Sequence, residues 1–169
     1  MTEQEKLQDY LRLLRTPFTK RCRLRFLHPD GSTAFAIDNN PNKPRSAAFI
    51  ADGSMSVNLQ NGSRRNASVT LWNASGDYDF ALNKIFYGQE VALDMGLVLS
   101  DGSDYYLQMG VFLIDTPTED IQPARKTAEY HLVDKWSGLD GTLYGNLEAT
   151  YTVPVGTNVF APIAALLSQ

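Results

Sequence analysis

Two histidines, one cysteine and a few close carboxylates are the residues able to do chemistry in this 169-residue chain. His131 alternates with Tyr130 and Leu132 and is followed closely by Asp134, and a His–Asp pair can orient a general base. No serine or cysteine stands in a strand-to-helix elbow to act as its nucleophile. His28 precedes Pro29 in a turn-forming stretch, where solvent exposure is the default. Asp77 with Asp79, and Asp101 with Asp104, have the spacing of paired carboxylates, and SDGSD at 100–104 has the opening of a calcium loop. The later ligand positions and the terminal glutamate are missing, so SDGSD predicts a hairpin turn. No zinc spacing, phosphate loop or dinucleotide fingerprint occurs. Cys22 lies between Arg21 and Arg23, where cations could lower a thiol pKa, yet it alternates with Leu24 and Phe26 as a small core residue does. The inventory predicts no active site, no cofactor and no metal centre.

The cations offer a different chemistry. Arg21, Arg23 and Arg25, with Lys20, form a stripe of period two, and Arg64 with Arg65 follow a glycine turn in QNGSRRNASVTLWN. Gripping phosphate needs a basic face, and on single strands interleaved aromatics as well. The chain is acidic overall, with net charge −4. Residues 1–45 carry nine Lys and Arg against five Asp and Glu, and residues 46–169 carry six against fourteen, giving +4 and −8. Such a split predicts a charge-complementary contact, within a subunit or between neighbours. Arg21, Arg23, Arg25, Arg64 and Arg65 are therefore candidate interface residues, and tight DNA binding is not expected. Tyr105, Tyr106 and Trp72 could build a sugar-stacking platform, although aromatics on strands more often pack across strands.

The elements carrying these residues are short. Thr2 and Glu5 fit a capping box for a helix over 2–15, with Leu7, Tyr10, Leu11 and Leu14 as an apolar stripe and Pro17 as its stop. RCRLRF and AFAI flank the turn HPDGS, and DNNPNKPR at 38–45 reads as an exposed loop. In a second hairpin Met55, Val57 and Leu59, then Ala67, Val69 and Leu71, face inward. DYDFALNKIFY at 77–87 predicts a short helix closed by Gly88, and EVALDMGLVL with YYLQMGVFLI a third hairpin around SDGSD. TAEYHLV is a further strand, DKWSGLD a helical turn and GTNVFAPIAALLSQ a helix candidate. The fold class expected is mainly β: an antiparallel barrel or sandwich, divided into an N-terminal helical arm (1–17) and a β-rich domain (18–169). The single cysteine allows no internal disulfide, no apolar run reaches a membrane span, and the N-terminus is charged rather than signal-like.

Several of these stretches occur in a particular order. NGSRRNASVTL is followed by FYGQEVALDMG, GVFLIDTP, HLVDKWSGLDGTLYG and YTVPVGTNVFAPIAALL. This resembles the N-terminal region of the tail or baseplate hub (tail-tip) proteins of tailed phages and prophages, over about residues 45–167. The matching positions are Arg64 and Arg65; Phe112 and Ile114; Asp134, Lys135, Leu139, Asp140 and Gly141; and Tyr151, Val153, Pro154, Gly156, Thr157 and Val159. Residues 1–44 match less clearly, and family members usually run well past this length. The resemblance implies β-barrel domains assembled into a ring, commonly a homotrimer, that continues the tail tube in the virion. It also implies contacts with the distal tail and tape-measure proteins, and DNA passing without tight binding. Arg64 and Arg65 would then make polar contacts at a strand start or subunit boundary. A carbohydrate-binding β-sandwich for host recognition is the alternative.

Overall fold

The computed structural model describes residues 1–42, 49–58, 65–73, 88–122 and 125–138. Helix α1 (Glu3–Leu13) is followed by β1 (Lys20–Leu27), β2 (Thr33–Asp38), β3 (Phe49–Val57), β4 (Arg65–Trp72), β5 (Glu90–Val98), β6 (Asp104–Gln122) and β7 (Arg125–Asp134). Among the described residues a 3-10 turn, Lys135–Gly138, follows β7. The strands form one sheet in the order β2-β1-β5-β6-β7-β4-β3, antiparallel at every step. A β5-β6-β7 meander thus sits centrally, with the β1–β2 hairpin docked on one edge and the β3–β4 hairpin on the other.

Every strand contributes to a single apolar core. Leu24 and Phe26 come from β1, Ile37 from β2, Ile50 from β3, Val69 and Leu71 from β4, and Val91 and Leu93 from β5. Phe112 and Ile114 from β6 and Tyr130 and Leu132 from β7 complete it. One sheet can enclose a core with one face only by rolling up, and its end strands β2 and β3 do approach each other. The molecule is an open antiparallel barrel, of the class the period-two segments predict. Phe26 lies at its centre, stacked on Phe35 at 4.3 Å between ring centroids and edge-on to Tyr130 at 6.2 Å.

Local chemistry sets the turns as expected. Asp30 accepts the Ser32 N–H and Asp101 the Ser103 N–H, each at a turn whose glycine takes positive φ, 81° at Gly31 and 82° at Gly102. SDGSD is accordingly the β5–β6 turn. The Thr2–Glu5 capping box is present in both directions.

Three expectations are corrected. The helix is shorter than 2–15, and its leucine stripe is not what holds it, because Leu7, Leu11 and Leu14 are 37%, 48% and 45% exposed. Val57, expected inside, is exposed at the end of β3. Strand β6 runs on past Ile114 to Gln122, because a break in register between Ile114 and Pro117 admits the proline and its missing N–H. The expected helices at 77–87 and in the C-terminal stretch lie outside the described residues, as do Leu59, Arg64, Leu139 and residues 43–45 of the loop at 38–45.

Candidate functional site

The basic stripe lies on the outside of the barrel. Strand alternation turns Leu24 and Phe26 inward and Arg21, Arg23 and Arg25 outward, against β5 and β6. There Arg23 Nε donates to Asp94 Oδ2 at 2.8 Å, and Arg25 grips the same carboxylate twice, at 2.7 and 2.9 Å. Asp94 is 1% exposed beneath them. Arg25 also donates to Gln108, and its guanidinium pKa is raised by the hydrogen bond to Asp94. Arg23 lies 4.2 Å above the Tyr106 ring, and burial pushes the Tyr106 hydroxyl up to about 12, helped by Asp104 and Asp38. Arg21, 8% exposed, donates to Asp104 at 2.7 Å, and Asn40 donates to the other oxygen of that carboxylate. Part of the charge split along the chain is therefore satisfied within one subunit.

A second cluster closes one end of the barrel. The Arg65 backbone N–H donates to Asp134 Oδ2 at 2.9 Å, tying the start of β4 to the end of β7. Its guanidinium donates to the Met109 carbonyl at 3.0 Å and sits 5.5 Å from the Phe112 ring centre. The neighbouring Lys135 pairs with Glu90. Arg65 thus makes polar contacts at the start of a strand.

Asp9 is the residue that fixes α1 to the barrel, and no sequence pattern singled it out. It is the buried residue of the helix and accepts from the Ser100 N–H at 2.9 Å, from the Ser100 hydroxyl and from Arg12. Tyr10 adds an edge contact with Tyr105 at 5.7 Å. The hydrogen bonds from Ser100, then Arg12, hold the Asp9 carboxyl at about 2 against an ordinary 3.8. A depressed carboxylate pKa contributes stability above the unfolded value and loses it as pH falls through the folded one. The helix contact should therefore be complete above about pH 4 and released through about pH 2, with the Ser100 amide NMR resonance reporting the step. The same step persisting in Asp9→Asn would refute this assignment.

The other candidate residues do not converge. His131 and Asp134, three positions apart on β7, point to opposite faces: His131 is exposed beside Glu129 at 3.9 Å, whereas Asp134 is buried. His28 is exposed in the β1–β2 turn. The Cys22 thiol is pushed up to about 11, first by burial and then by Asp94. Tyr105 and Tyr106 alternate across the sheet, Tyr106 is covered by Arg23, and Trp72 stacks on Phe49, so no shared aromatic platform forms. Among the described residues no group of three or more His, Cys, Asp or Glu side chains is placed to hold a metal ion. No described helix is long and apolar enough to cross a membrane.

No protein-family model matches the chain, and no curated protein matches it. Among solved structures it is similar to part of the Francisella PdpA–VgrG complex in its lidded form, with a TM-score of 0.36 and 11% sequence identity. That similarity covers 79% of this chain and 21% of the other, so this chain spans about a fifth of its neighbour's length.

Proposed function

We propose that the protein is a structural component of a phage-type tail tip or baseplate hub, working by assembly rather than catalysis. The observation that supports this reading is the meeting of residues from separate elements of the hub-like sequence pattern. Arg65, Phe112 and Asp134 belong to three such elements and gather at one end of the barrel, with Lys135 alongside. The pattern then describes one local structure, a strand start locked to a strand end over a core aromatic, and not three unrelated likenesses.

On this reading the barrels form a ring, most simply a homotrimer, between a distal tail protein and a tape-measure protein, in the virion. The acidic balance of residues 46–169 suits a channel through which DNA moves without being held. Light scattering on the purified chain, alone and with a distal tail ring, is the test. A ring-sized particle whose formation weakens with salt is expected, because exposed charge pairs are screened over about 8–10 Å at physiological ionic strength. A monomer at every concentration that also fails to join the distal tail ring would refute the proposal.

A further inference from the structure

Among the described residues no ladder closes the barrel: β2 and β3 approach each other at a seam without pairing. Behind the seam lies a cavity of about 300 Å³. Ile50, Val69 and Leu93 line it as buried core residues, together with the less buried Cys22, Met55 and Met95, the last 40% exposed. The space exists because Cys22 on β1 and Gly53 on β3, opposite the inward-facing Val69, contribute so little volume there.

The two sides of the opening differ. On the β1 side, β2 ends at Asp38, opposite Arg23, and Asn39 takes over from it: its Oδ1 accepts the Cys22 N–H at 3.0 Å and its Nδ2 donates to the Lys20 carbonyl at 3.3 Å. On the β3 side the ladder among the described residues runs along one edge, to β4, and the Gly53 N–H turns to the Asp52 carboxylate at 2.8 Å. Lys20 stands at the rim, exposed and in no ion pair among the described residues.

We infer that this seam takes up an eighth strand: an extended segment of another protein chain, apolar at alternate positions and carrying a carboxylate beside Lys20. The β3 edge presents backbone donors and acceptors, which another polypeptide backbone complements. Alternation sends every second side chain of the incoming strand into the cavity. The six lining residues Ile50–Met55 set its length at about 20 Å of extended chain. About eight strands is also the size at which side chains just fill a barrel's interior, and pairing β3 covers an edge otherwise open to aggregation. The inference does not rest on ring assembly, because a single chain can take up a strand.

Amide hydrogen exchange on the whole chain tests it, with a heptapeptide of alternating valine and serine bearing one glutamate as the probe at millimolar concentration. The Gly53 and Met55 amides should exchange at least about tenfold more slowly with the peptide, and a backbone N-methylated version should have no effect. Lys20→Glu, at an exposed position, should weaken uptake, and exchanging the peptide's glutamate for lysine should restore it. Cys22→Phe should fill the cavity and abolish uptake. Three results would each overturn the inference: β3 amides already as protected as those of β5 in the isolated chain, equal uptake of the N-methylated peptide, or no protection by either.

Discussion

Asp94→Ala is expected to cost about 1–3 kcal/mol in urea unfolding, because it strips two partly exposed guanidinium groups of the carboxylate they share. The carboxylate is 1% exposed and receives Arg23 once and Arg25 twice. Removing the whole group should cost far less: replacing Asp94 with leucine and both arginines with methionine should be near neutral, since ion pairs set against a sheet exchange well for apolar packing. A single Asp94→Ala change that proved harmless would show the network to be solvated. The same geometry changes how a charge-reversal experiment on the stripe is read. Substituting glutamate at Arg21, Arg23 and Arg25 sets new carboxylates against Asp94 and Asp104, so the β spectrum should weaken before any assembly effect appears.

Gly96→Ala should destabilise by about 3 kcal/mol or more, at the upper end of overpacking effects. A Cβ on Gly96 would lie 2.0 Å from the Tyr105 carbonyl oxygen and 3.1 Å from Tyr106 Cα, all backbone of the paired strand β6. Relief requires β5 and β6 to separate, in the middle of the sheet. Gly110→Ala is the natural control. Its new methyl would lie 2.6 Å from Arg65 Nη1, the far end of a flexible side chain that can swing away. It should cost less, losing the bond from Arg65 to Met109 and pressing by a few tenths of an ångström on the Phe112 ring, 3.2 Å away. Equal costs for the two variants would refute the close approach of β5 and β6.

Local signals are the ones legible in the sequence. The capping box at Thr2, the Asp–Gly turns at Gly31 and Gly102, and the alternation that separates Leu24 and Phe26 from the arginines each depend on neighbours a few residues away. What was not legible lies far apart along the chain. Arg23 meets Asp94 71 residues on, and Asp9 meets Ser100 across 91. Nothing in RCRLRF says that its outward cations have a buried partner, and an aspartate within a leucine-striped helix looks like solvated surface. TPTEDIQ hid the extension of β6 because its residues are polar and a proline usually ends a strand. Of the candidate site, the sequence marks Arg65 for a polar contact at a strand start or subunit boundary, but neither the Met109 carbonyl nor the Phe112 ring beneath it can be read from the sequence.

The strand order has a consequence for how the chain reaches this state. Both hairpins that flank the meander are translated before any of it, yet each docks on a meander strand: β1 on β5, and β4 on β7. Local hairpins close in about 1–10 μs, whereas a ribosome supplies about 5–20 residues per second. For some seconds, then, the nascent chain holds two hairpins with unpaired inner edges and half a core. Folding must wait for the last strand to emerge, and its rate should carry the slowness of distant β pairings and not the speed of the turns that begin it.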